Sequence, residues 1–114
     1  VISQVVITIG YDVAWRQVEA MLLEAAAGTA GVRTEPAPRV FQTALSDFYV
    51  EYHLRIALDE PRRRLEILND LHGKVQDVFN TYGVQIMSPN YEADPANEKI
   101  VPVAKWYPAP AKKE

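Results

Sequence analysis

The sequence predicts an α+β fold: a ferredoxin-like βαββαβ sandwich with a four-stranded antiparallel sheet and two helices on one face, plus an extended C-terminal tail. Four short segments have the composition or alternation of strands, and two longer segments have apolar residues at helical spacing. Their order along the chain is strand, helix, strand, strand, helix, strand, which is that of the split βαβ fold. Right-handed crossovers place both helices on the same side of the sheet. We assign residues 1–91 to this domain and 92–114 to the tail.

The first strand and helix are predicted at the start of the chain. Val5–Ile9 is rich in β-branched residues, which favour strands, and Gly10 follows it. Asp12 is expected to cap the first helix, because its carboxylate can accept backbone N–H groups of the first turn. Gly28 is expected to end this helix. The apolar stripe of the helix has three- and four-residue spacings: Trp15, Val18, Leu22 and Ala25.

The second and third strands are predicted as a hairpin. Val40–Asp47 alternates loosely between apolar and polar residues, and Tyr49–Leu58 alternates more clearly. The junction at 46–48 is short, as is usual between antiparallel neighbours.

The second helix has the strongest periodicity of the chain. It is predicted to begin at Asp59–Pro61, because proline is tolerated in a first turn, and to end at Gly83. Its stripe has three- and four-residue spacings, is widened by Leu71 and Val78, and predicts a core histidine: Leu65, Leu68, His72, Val75, Phe79 and Tyr82. Val84–Met87 is predicted as the fourth strand. The later segment has several prolines and no helical period, which predicts an extended tail.

Composition excludes several classes of function. Twelve Lys plus Arg and 15 Asp plus Glu give a net charge of −3, which argues against nucleic acid as a partner. The absence of Cys and the presence of only two His predict no metal site and no cofactor. No apolar run approaches the ~20 residues that span a bilayer, so we expect this piece to be soluble. Its start at Val1, without Met, suggests an excised fragment or a processed product.

No catalytic site is predicted. His53 shares a strand face with Glu51 and Arg55, but a solvated sheet face carries such residues equally well. A phosphate cradle after the first strand, as in acylphosphatase-like enzymes, is disfavoured because Asp12 repels phosphate. An RNA-recognition module is disfavoured as well, because the motif around 49–52 lacks its basic residue and glycine.

Two groups of residues are predicted as a possible subunit interface. Arg62, Arg63 and Arg64 lie at a helix N-terminus, where each exposed cation costs ~0.3–1 kcal/mol. Asp59 and Glu60 are the preferred neutralising partners, and an acidic patch on a neighbouring subunit is the alternative. The tail supplies the second group, whose large side chains have little core of their own: Tyr91, Trp106 and Tyr107.

Three features give the chain a family resemblance: the strand-to-helix entry Val6–Asp12, the arginine-led second helix that ends in Tyr82-Gly83, and the stretch Val84–Glu92. Over roughly Val5–Tyr91 it resembles the C-terminal cytoplasmic α/β domain of the bacterial small-conductance mechanosensitive channel family. The sequence Lys105–Tyr107 resembles the long-tailed branch of the same family. The resemblance implies that membrane helices and a small β-domain precede Val1 in the parent protein. It also implies no enzymatic activity and a location on the cytoplasmic side of the bacterial inner membrane.

The same resemblance implies an assembly function. In that family, seven subunits build a hollow cage beneath a pore that opens under membrane tension to release solutes during hypoosmotic shock. The expected partners are therefore copies of the chain in a homoheptamer, with the domain forming the cage wall and conducting nothing itself. The family's axial barrel strand has no clear counterpart here between Asn90 and Val103. A regulatory small-ligand module of the same fold is the alternative function.

Overall fold

A computed structural model describes residues 2–87 and 101–111 and shows an α+β domain. A three-stranded antiparallel sheet is packed against two helices. The elements, in chain order, are β1 (Ile2–Ile9), α1 (Trp15–Ala27), β2 (Arg39–Leu45), β3 (Val50–Ala57) and α2 (Arg64–Thr81), with one-turn 3-10 helices at Pro61–Arg63 and Val103–Lys105. Three predicted strands and both predicted helices are confirmed, with shifted ends.

The sheet has the order β1-β3-β2, so β3 is its central strand. The pairing of β1 with β3 is continuous from Ile2 opposite Ala57 to Ile9 opposite Val50. The pairing of β2 with β3 has an irregularity between Gln42 and Ala44. The predicted hairpin is thus confirmed, with its turn after Leu45.

The predicted fourth strand contributes less than expected. Over Val84–Met87, Ile86 forms an isolated antiparallel bridge with Ile9. The Met87 N–H donates to the carbonyl of Thr8 over 2.8 Å, and the Thr8 hydroxyl donates to the carbonyl of Met87. The segment therefore lies beside β1, but the sheet within the described residues has three strands, and the four-strand ferredoxin-like order is not formed there.

A single apolar core lies between the sheet and both helices. Alternation along β1 and β3 directs one face of the sheet toward the helices, as a period of two requires. Burial of this apolar surface is the main favourable term in folding. The core includes Val5, Ile7, Ile9, Val50, Tyr52, Leu54 and Ile56 from the sheet, Val18, Met21, Leu22 and Ala25 from α1, and Ile67, Leu71, Val75, Val78 and Phe79 from α2. Because one core contains both helices, they cover the same face, as predicted.

The predicted stripe on α2 is partly wrong. Leu65 is 82% exposed and Tyr82 is 51% exposed, and the side of the helix that carries His72 faces outward. The prediction of a core histidine is therefore wrong. The helix has apolar residues on two overlapping stripes, and the stripe that includes Ile67 and Leu71 is the one that meets the sheet.

The ends of the helices also differ from expectation. Helix α1 begins three residues after Asp12, with Ala14 at the N-cap and no side-chain cap, so the prediction that Asp12 caps it is wrong. Trp15 consequently lies in the first turn, where it is 40% exposed. Gly83 does follow the end of α2: its φ is +70°, and the Val84 N–H donates to the carbonyl of Phe79 over 2.8 Å. This is the Schellman arrangement, for which glycine is favoured.

Substitutions of two leucines of α2 test which side of the helix is buried against the sheet. Leu71→Ala should lower the free energy of unfolding by about 2–5 kcal/mol, because Leu71 is fully buried and its removal leaves a cavity. Leu65→Ala is the matched control on the same helix, and it should cost less than about 0.5 kcal/mol because Leu65 is exposed. Urea unfolding measures both values. Equal costs for the two variants would show that the helix is rotated relative to the sheet.

Candidate subunit-contact surface

The three arginines lie at the start of α2 on the outside of the domain. Pro61 opens a 3-10 turn, and the Arg63 N–H donates to the carbonyl of Glu60 over 2.9 Å, which closes that turn. The turn leads directly into α2, so the arginines precede the first exposed leucine of the helix. We call Arg62, Arg63, Arg64 and Leu65 the arginine surface.

The guanidinium groups of this surface have different partners. Arg63 Nε lies 3.3 Å from Glu66 Oε2, and this hydrogen bond is the main cause that raises the pKa of Arg63. Arg64 Nε donates to the buried Ser3 Oγ over 3.1 Å, which ties the start of α2 to β1. Within residues 2–87 and 101–111, Arg62 makes no hydrogen bond or ion pair through its side chain. Arg62 is therefore the arginine best placed to meet a partner.

The neutralising residues differ from those that the sequence favoured. Glu66, one turn into the helix, forms the ion pair with Arg63, whereas Asp59 only adds a smaller electrostatic contribution that also raises the pKa of Arg63. Both side chains of the pair are more than half exposed, at 53% and 68%. Exposed pairs of this kind add little stability, with typical values of about 0–1 kcal/mol. The pair leaves the arginine surface open to solvent.

The predicted aromatic residues of the tail lie elsewhere. The Val101 N–H donates to Asn80 Oδ1 over 3.2 Å, which brings the tail to the C-terminal end of α2. Trp106 Nε1 donates to the carbonyl of Val101 over 2.9 Å, and Tyr107 is 41% exposed. Arg64 and Asn80 are separated by about 24 Å of helix, at 1.5 Å per residue. The structure therefore does not bring the two predicted groups together, and Tyr91 lies outside the described residues.

A second exposed apolar region was missed by the sequence analysis. It lies at the β2–β3 turn, where Leu45 is 74% exposed and Phe48 is 48% exposed. Tyr11 lies beside them, because its hydroxyl donates to the carbonyl of Ser46. The sequence feature that could have revealed this region is Phe48, a large apolar residue within the three-residue hairpin junction. Large apolar groups that cluster at the surface are typical of contact sites.

The open face of the sheet, opposite the helices, has a closed polar network. His53 Nε2 lies 3.0 Å from Glu51 Oε2, and His53 Nδ1 lies 3.3 Å from Gln4 Oε1. The Thr43 hydroxyl donates to Glu51 Oε2 over 2.8 Å. The bonds from Thr43 and then His53 lower the pKa of Glu51. These groups satisfy one another, and the network contains no nucleophile next to the histidine.

Residues 2–87 and 101–111 contain neither a metal-binding cluster nor a membrane-spanning helix. No three His, Cys, Asp or Glu side chains come close enough together to hold a metal ion in this part of the chain. None of its helices combines the length and the apolar character that crossing a bilayer requires.

Comparison with known protein families gives a match to a channel family. The model of the family described as "Mechanosensitive ion channel MscS, C-terminal" matches residues 3–86. The match spans both helices and all three strands of the sheet except the first residue of β1. No curated protein matches the chain significantly.

The network on the open face predicts an acid-sensitive contribution to stability. Folding lowers the pKa of the Glu51 carboxyl group below its unfolded value of about 4.3. The ionised carboxylate therefore stabilises the folded state above that pH, and this stabilisation is lost as the pH falls through the pKa of the folded state. Glu51→Gln should therefore lower the melting temperature at neutral pH, and the difference from the wild type should shrink below about pH 4. Glu60→Gln is the control, because the Glu60 carboxylate is exposed and forms no hydrogen bond in the described part of the chain. A difference between wild type and Glu51→Gln that stays constant with pH would contradict this assignment.

Proposed function

Because this chain belongs to the family of C-terminal domains of MscS mechanosensitive ion channels, a family without enzymatic activity, we propose that it is a cage-wall assembly domain. It packs beside copies of itself beneath the pore of a channel that releases solutes during hypoosmotic shock. The observation that supports this function most strongly is the family match over residues 3–86 of 114. The domain itself does not conduct ions.

The proposed assembly is a homoheptamer on the cytoplasmic side of the bacterial inner membrane. Channels of this family oligomerise, and seven subunits is the number that the family resemblance implies. Its connection to the membrane would run through segments that precede Val1 in the parent protein.

We also propose that the domain follows the ferredoxin-like plan, with Val84–Met87 as its fourth strand at the outer edge of β1. The antiparallel bridge between Ile86 and Ile9 supports this placement, as does the Met87 N–H bond to Thr8. The order β1-β3-β2 is compatible with it, because that order leaves the edge of β1 next to the bridge.

The arginine surface is the proposed site of contact between subunits. It combines the Arg62 guanidinium, which has no hydrogen bond or ion pair within the described residues, with Leu65, which is 82% exposed. Arginine is enriched at protein interfaces, and burial of an exposed leucine on association is favourable. The ion pair between Arg63 and Glu66 and the bond from Arg64 to Ser3 hold the surrounding side chains in place.

The gene that encodes the chain provides the most direct test of this function. Upstream of Val1, the parent reading frame should encode several apolar segments of about 20 residues each, which is the length that crosses a bilayer. Sequencing of the parent locus checks this expectation. A parent protein without such segments would contradict the channel function.

A pair of exposed leucines tests the contact surface. Leu65→Asp should weaken self-association by about tenfold or more, because a carboxylate at an apolar contact is desolvated without a partner. Leu45→Asp makes the same change in the other exposed apolar region, at the β2–β3 turn, where Leu45 is 74% exposed, and it should leave association unchanged. Sedimentation velocity over a concentration series measures association, and circular dichroism checks the fold. If only Leu45→Asp weakened association, the contact would lie at the β2–β3 turn instead.

A further inference from the structure

Two arginines lie side by side on the open face of the sheet. Arg39 on β2 is directly opposite Arg55 on β3 in the strand register. Both guanidinium groups lie over the same ring: the Cζ atom of Arg39 is 4.9 Å from the centroid of Phe41, and that of Arg55 is 5.1 Å from it. Like charges at directly opposite positions destabilise a sheet. The aromatic ring holds these charges in place but does not neutralise them.

No carboxylate compensates this pair in the described part of the chain. Neither Arg39 nor Arg55 forms an ion pair there. Glu51 shares the open face with Arg55, but it lies four residues away along β3, which is about 13 Å. It is also engaged by Thr43 and His53. The two guanidinium groups therefore keep their hydrogen-bond donors available for an anion.

A depression of about 180 Å³ adjoins the arginine pair. Its remaining walls are largely apolar and include Ile2, Ala37 and Ala57. The loop that bears Ala37 is anchored to the end of β3, since the Arg33 N–H donates to the carbonyl of Ala57 over 2.8 Å. This volume is several times what one water needs, so the depression is large enough to receive a small organic group.

We propose that this depression binds a small organic anion composed of a compact apolar body and one carboxylate. The carboxylate accepts hydrogen bonds from Arg39 and Arg55, whose planar donor groups match carboxylate geometry. The apolar body packs against Ile2 and Ala57 and is removed from water. This site is separate from the arginine surface and does not depend on the assembly function.

Benzoate is a suitable probe, and the 114-residue chain is titrated with it at constant ionic strength. Backbone amide NMR shifts near the depression and the melting temperature report binding, because a ligand that binds only the folded state stabilises it by mass action. Benzamide tests the need for charge, and inorganic phosphate tests the need for the apolar body. The variants Arg39→Gln and Arg55→Gln remove charge but keep much of the alkyl stem, and Ala37→Phe fills the depression without a change of charge.

The matched control is Arg16→Gln. The Cζ atom of Arg16 lies 4.3 Å from the centroid of Trp15, so this guanidinium also lies over an aromatic ring, but it lies on α1 and not on the open face of the sheet. We expect saturable binding of benzoate by the wild type and by Arg16→Gln. Affinity should fall at least about tenfold in Arg39→Gln, Arg55→Gln and Ala37→Phe.

Several results would overturn the proposal. The first is the absence of saturable binding, and the second is equal binding of benzamide or phosphate. The third is unchanged affinity in the two arginine variants or in Ala37→Phe. If the wild type self-associated and Arg39→Gln and Arg55→Gln dissociated it without affecting benzoate binding, the occupant would be a second copy of the chain, and the small-anion proposal would be wrong.

Discussion

The central position of β3 is the constraint on which the rest of the domain depends. The strand is hydrogen-bonded on both edges, and its alternation directs Tyr52 and Leu54 into the core while Glu51, His53 and Arg55 lie on the open face. Because the side-chain period is two, a slip of one residue would exchange these sets and bury the charged residues. The same alternation buries Tyr52 and places the arginine pair on the open face. Burial raises the pKa of the Tyr52 phenol.

The two helices follow from this alternation. They cover the single apolar face that β1 and β3 create, so the opposite face and the outer sides of the helices remain available for contacts. On the outer side, the hydroxyl of Tyr82, which directly follows α2, donates to Glu24 Oε1 on α1 over 2.9 Å. This bond connects the two helices without participation of the core.

The sequence specified local features well and non-local ones poorly. The β-branched start and the alternation from Tyr49 onward predicted their strands, because a period of two is strong over a short window. Helix α2 was predicted with a stripe displaced toward Leu65 and His72, because its apolar residues satisfy two overlapping helical stripes and only contact with the sheet selects one. The pairing of Val84–Met87 with β1 depends on chain segments far apart, so its extent was not evident from local pattern.

At the candidate site, too, local features were predicted from the sequence and non-local ones were not. The exposure of the arginines was predictable because charge at a helix start is costly to bury. The partner of Arg63 was predicted among the residues before the helix, whereas Glu66 has the i,i+3 spacing that side chains on one helix face require. The juxtaposition of Arg39 and Arg55 could not be derived at all, because it depends on the strand register and on an irregularity between Gln42 and Ala44.

The start of β1 connects the arginine surface with the depression that is proposed to bind a small anion. Ser3 accepts the hydrogen bond that fixes Arg64 of the arginine surface, and the preceding residue, Ile2, lines the depression on the opposite face. Adjacent residues of a strand point to opposite faces, so a single rigid strand separates the two surfaces. An anion packed against Ile2 would restrain the same strand end that positions Arg64. Effects of benzoate on self-association would therefore arise through β1, and by linkage self-association through the arginine surface would change the affinity for benzoate by the same factor.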